Sequence, residues 1–239
     1  MKTFALYLES GPRRRTTMAH VLELLGCTAH GPTTEEALEA APEAIRLYLR
    51  FLELHGEAID SQEPFTTLVV EHVMEGPWLG YGDPAPGFGP DFEPLTAGDL
   101  AIYLWRLDGL HADILRMVGA LSQQDLTAEP QSGGRPIARI LEHLAESESA
   151  YLRYQVGKVE GLSEALKDVQ RGPEGVVETL PRVWRLIQAR LEGLSEVERQ
   201  QQVPHGQVTW TARRALRRML EHGWEHRQEI ARRLGEQPG

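Results

Sequence analysis

Three histidines in this 239-residue chain have the type and spacing to hold one metal ion. His222 and His226 lie four residues apart in RRMLEHGWEHRQEIARRL, and His143 lies in IARILEHLAESESAYL. On a helix, residues four apart share a face one turn above the other, so two imidazoles so placed can reach one ion. With His143 on a neighbouring helix, three neutral nitrogen ligands leave a coordination position open, and open sites serve chemistry more often than structure. A zinc-like ion there lowers the pKa of bound water toward about 7, and a thiolate could take the same position. The candidate ions are zinc, nickel, iron and manganese; imidazole suits several of these, and geometry decides among them. The pattern HGWEH is not the zinc-protease motif, because Gly223 stands where that motif needs Glu. Glu146, Glu225 and His111 are candidates for proton transfer, although Glu225 falls on a different side of its helix from the histidine pair; His205 is a further candidate.

Helices must position these rings. From residue 97 onward the apolar periodicity predicts four long helices, over 97–121, 135–157, 176–193 and 210–235. Ile137, Ile140, Leu141 and Leu144 define one core face, with His143 roughly 120° to one side. Leu216, Met219, Leu220 and Leu234 define another, with His222 and His226 at about 120° and 80° from its centre. Such flanks form the seams of a four-helix bundle, where bundle metal sites are built. Ser122 and Ser195, each with an acid three residues on, read as caps of short connecting helices. Pro136 suits a first turn, whereas Pro181 predicts a late start or a kink. Gly223 in mid-helix points to close approach by another group. Tyr103 and Trp105 on the first of these helices suggest a homodimer contact.

Residues 1–75 read differently. Phe4, Leu6 and Leu8 alternate as in a strand, residues 17–22 and 27–30 are short strand candidates, and 66–74 have β-branched character. Thr33 with Glu36 forms a capping box for a helix carrying Leu38, Ala41, Ile45, Leu49 and Leu52, with Gly56 as its stop. The order is three strands, a helix and a strand. Residues 76–96 form a joint: nine of residues 76–90 are Gly or Pro, so no helix or central strand runs through it. Trp78, Tyr81 and Phe88 interrupt that stretch and predict that it packs near the cleft between the two parts. The fold class is an α+β part, 1–75, joined to an all-α four-helix bundle, 97–239.

The net charge of −10 disfavours nucleic acid as a partner, since phosphate contact needs a basic surface. Arg13–Arg15 read as a charged turn, and Arg213, Arg214, Arg217 and Arg218 as a solvated helix face. Apolar runs are too short to cross a bilayer, which leaves no membrane role. One cysteine, Cys27, excludes an intrachain disulfide or a cysteine-rich zinc site. With no export-type segment, the expected location is cytoplasmic.

On IARILEHLAESESAYL and TWTARRALRRMLEHGWEHRQEIARRL, residues 97–236 resemble the DinB-like (YfiT-like) four-helix-bundle family. In that family a histidine on the second helix and an HxxxH pair on the last bind a divalent metal, which carries over to His143, His222 and His226 alone. The resemblance implies a metal-dependent enzyme, a thiol transferase or a hydrolase, on a small-molecule substrate such as a thiol. On LELLGCTAHGPTTEEALEAAPEAIRLYLRFL, residues 1–75 resemble the HicB-like antitoxin domain, a partial ribonuclease-H-like module. That resemblance implies the alternative function, a non-catalytic binding or regulatory protein whose HicB-like part recognises a protein partner.

Overall fold

Side chains of residues 4–8 alternate between core and surface within β1 (Lys2–Ser10), with Phe4, Leu6 and Leu8 buried. The computed structural model describes residues 1–11, 16–76, 79–80, 86–130, 133–172 and 175–236. The Arg13–Arg15 turn, Trp78 and Tyr81 lie outside the described residues. β2 (Thr17–His20) and β3 (Thr28–Gly31) follow, then α1 (Thr34–Leu54) and β4 (Phe65–Val73). The expected order of three strands, helix and strand forms one sheet, β3-β2-β1-β4, antiparallel except for the parallel pair β1–β4. A parallel pair needs a long crossover, and α1 supplies it. The second strand stops at His20, short of the expected residue 22, because Leu22–Leu24 wind into a 3-10 turn that buries Leu22 and Leu24.

Thr33 caps α1 as expected: its Oγ1 accepts from the Glu36 N–H at 3.2 Å, while Glu36 Oε2 accepts from the Thr33 N–H at 3.0 Å. Ala37, Ala41, Ile45, Tyr48 and Leu52 form its buried stripe. Tyr48 donates to the Leu25 carbonyl at 2.6 Å. Beside it Gly26 has φ +111°, and a Cβ there would meet Tyr48 Oη at 2.2 Å, so only glycine fits.

The long helices are α2 (Ala97–Val118), α4 (Ile137–Val156), α6 (Val176–Glu192) and α8 (Ala212–Leu234), with short α3 (Gln123–Thr127), α5 (Leu162–Val169) and α7 (Glu196–Gln200) between them. α8 packs against both α2 and α4, and α6 closes the bundle on their other side. Ser122 and Ser195 cap α3 and α7. Pro136 occupies the N-cap position of α4 instead of its first turn. α6 starts at Val176 and runs through Pro181, so the late start does not occur. α8 begins at Ala212, two residues later than predicted, because Val203–His205 (β5) and Val208–Trp210 (β6) pair as a hairpin before it.

The four arginines at the start of α8 are not a solvated face. Arg214, Arg217 and Arg218 are 1–2% exposed. Arg217 holds Asp91 of the joint at 2.8 and 3.0 Å and Glu221 at 3.0 Å, and Arg218 holds Glu221 at 2.8 Å. Buried charge is tolerable when paired in this way. Tyr103 is also buried, which removes it from any dimer surface; Trp105 remains 59% exposed and donates its indole N–H to the His55 carbonyl.

Of Trp78, Tyr81 and Phe88 in the joint, Phe88 lies among the described residues, and it packs inward. Phe88 is fully buried, 5.1 Å from the His20 ring and 5.5 Å from the Tyr7 ring, with Arg217 over its face. One apolar core runs from the sheet through Tyr48, Phe51 and Trp224 into the bundle.

Candidate metal centre

α8 and α4 bring the three histidines together. His143 stands on the flank of a stripe, Ile137, Ile140, Leu141 and Leu144, buried in the bundle. His222 and His226 stand one turn apart on α8. His222 Nε2 is 3.1 Å from His143 Nε2 and 3.2 Å from His226 Nε2, and the potential ligand atoms all lie within 4.8 Å of one another. A tetrahedral ion with metal–nitrogen bonds of about 2.0–2.1 Å sets its ligands about 3.3–3.4 Å apart, close to those spacings.

The donor set fits a cation. Ligand imidazoles must be neutral. Burial, with the Arg135 charge second, pushes the His143 ring down to about 4. Burial, followed by the charges of His226 and Arg218, holds His222 well below its ordinary value. His226 Nδ1 lies 2.9 Å from Glu229 Oε2. A carboxylate accepts only, so Nδ1 carries the proton and the Nε2 lone pair faces the other two rings. Metal-ligating histidines commonly have such an outer carboxylate. Glu229 is anchored in turn by Arg233. Sequence reasoning missed Glu229, although His-x-x-Glu on a helix face was a visible signal.

The other sequence candidates go elsewhere. His111 is buried against both oxygens of Glu148 at 3.1 Å and stacks on Trp184 at 4.0 Å. His205 lies on β5 against Tyr154. Glu225 faces the sheet, accepting from His30 at 3.0 Å and from Thr28 at 3.4 Å. Glu146 accepts from Gln170 and lines a cleft of about 610 Å³ together with His143, Arg135 and Glu142. Glu142 is 4% exposed; one oxygen pairs with Arg139 and the other, buried, has no partner among the described residues. Gly223 carries the close approach its position suggested: a Cβ there would meet Leu110 Cδ2 of α2 at 2.7 Å.

Residues 106–230 match the DinB superfamily, more than half of the chain. The chain belongs to the DinB superfamily. Among solved structures, YfiT from Bacillus subtilis, described as a probable metal-dependent hydrolase with an unusual four-helix bundle topology, is 20% identical. That match has a TM-score of 0.46 and covers 61% of this chain and 93% of YfiT. No curated protein matches this DinB-superfamily chain significantly. Among its described residues, no helix is long and apolar enough to cross a membrane.

Proposed function

We propose that this protein is a metal-dependent enzyme acting on a small molecule, with His143, His222 and His226 holding a divalent zinc, nickel, iron or manganese ion. The observation that carries it is the convergence of three Nε2 atoms, two spacings being 3.1 and 3.2 Å, with Glu229 fixing the tautomer of one. A bound ion supplies Lewis acidity, making a coordinated water or thiol nucleophilic near neutral pH. The chain's own groups do the rest. His143 and His222 stay unprotonated through burial. Glu129, Glu142 and Glu146 line the same cleft as His143 and are carboxylates placed to take a proton. Hydrolysis and thiol transfer both fit this arrangement.

The test is to purify the protein, quantify transition metals by mass spectrometry, and compare His222→Ala in metal content, melting temperature, and hydrolase and thiol-transfer activity over a substrate panel. We expect about one equivalent of metal in the parent, and loss of metal and activity in the variant with its fold intact. A parent that takes up no divalent ion under any reconstitution would overturn the reading.

A second reading has its own observation. β4 is an edge strand of the sheet, and Leu68, Val69 and Val70 on it are 40–60% exposed. An uncovered apolar edge invites another strand. The strand-helix-strand order supports a HicB-like kinship for residues 1–75, and a protein partner docking on β4 would make the molecule a binding module. A co-purifying protein together with an inactive parent would favour it.

A further inference from the structure

A groove of about 480 Å³ is lined by His226, one of the three histidines, and its far wall belongs to the sheet part. α8 presents His226 and Glu229 on one side; His30 of β3 and Ala40 and Ala44 of α1 face them. Ala40 and Ala44 are one turn apart, so their small side chains leave a shallow trough along α1.

The polar groups in the groove are unevenly satisfied. Glu225 is answered by His30 and Thr28, and Glu229 by His226 and Arg233. Two donors are left over. Gln228 Nε2 is buried with no acceptor among the described residues, and Arg232, solvent-exposed at the edge of the groove, has no carboxylate partner among them. A concave site whose acids are paired and whose spare groups are an amide N–H and a guanidinium favours an anion, because charge-assisted bonds to a carboxylate are the strong ones.

We propose that this groove holds the substrate of the metal centre, that the substrate carries a carboxylate received by Arg232 and Gln228, and that the sheet part thereby sets specificity. This rests on the three-histidine reading.

The test uses the full chain loaded with Co²⁺ and two chelating probes, acetohydroxamate and the monohydroxamate of succinic acid. They share a metal-binding head and differ in a distal carboxylate; the cobalt absorption spectrum reports binding. The succinyl probe should bind about tenfold more tightly than acetohydroxamate. Arg232→Gln should abolish that preference while leaving acetohydroxamate affinity unchanged. Ala44→Phe, or Ala40→Phe should the first fold poorly, should weaken the succinyl probe about tenfold with cobalt stoichiometry and melting temperature retained. Equal binding of the two probes by the parent, or full affinity in both phenylalanine variants, overturns the proposal. Failure to bind cobalt would instead sink the three-histidine reading. The groove is then read on the metal-free protein, where succinate should raise the melting temperature of the parent and not of Arg232→Gln; no shift in the parent overturns it.

Discussion

Glu229 does more than add a charge beside His226. By accepting the Nδ1 proton it leaves the Nε2 lone pair pointing at the other two rings. Glu229→Ala should therefore weaken divalent-ion affinity about ten- to hundredfold, measured by competition with a chromophoric chelator, without unfolding the metal-free protein. Unchanged affinity would reduce Glu229 to an ion-pair partner of Arg233. At this scale the sequence is readable where the geometry is local. His222, His226 and Glu229 are one or two turns of one helix apart, and helical spacing alone puts them on one side. His143 needed a second helix at the right flank, and its apolar stripe supplied that. His30, Arg135 and Arg232 were not legible as neighbours of the site, because their places depend on how separate elements pack. The arginines of α8 show the converse error: charge alone reads as exposure, and the partner that buries Arg217, Asp91, is remote in sequence.

At the scale of elements, the contact between β2 and α8 is the one most open to titration. His20 is 1% exposed; Nδ1 lies 2.8 Å from Glu221 and Nε2 lies 3.8 Å from Glu9, with Arg217 beside it. Burial alone would lower its pKa, but the charge and hydrogen bond of Glu221, helped by Glu9 and opposed by Arg217, raise it above 6.5. A raised histidine contributes stability that is fully present below its unfolded pKa and is lost as pH rises through the folded value. Urea midpoints should therefore fall as pH climbs from about 6.5 past that value, and His20→Gln should flatten this part of the profile. A parent profile no steeper than the variant's would mean that His20 is neutral in the fold. Element identity itself was legible from period and caps: the Thr33 box and the Ser122 and Ser195 caps all form. Short elements escaped notice. α5 carries Leu162, Ala165, Leu166 and Val169 at helical spacing but spans only two turns. The β5–β6 hairpin has three-residue strands, too short for alternation to show.

For the whole molecule, the sequence divides at the Gly- and Pro-rich joint, yet the folded chain has no polar divide there. Trp224 of α8 packs 4.9 Å from the Tyr48 ring and 5.0 Å from the Phe51 ring of α1. Arg106 of α2 grips Glu57, past the end of α1, at 2.7 and 3.0 Å. The joint itself supplies Phe88 and Asp91, which are buried against α8. A bundle cut free at residue 97 would uncover Trp224, whose burial is worth about 3 kcal/mol, and would leave Arg217 without Asp91. Since a domain's net stability is typically only about 5–15 kcal/mol, those losses remove much of it. Full-length protein should therefore unfold in one transition, with tryptophan fluorescence and helical circular dichroism giving the same urea midpoint. The fragment 97–239 should keep helical signal but lose cooperativity and bind divalent ions more weakly, because His222 and His226 sit on the helix that the sheet part braces. Two separated transitions in the full chain, or a fragment as cooperative as the parent, would show that the shared core does not couple the parts and that the bundle holds its histidines in place unaided.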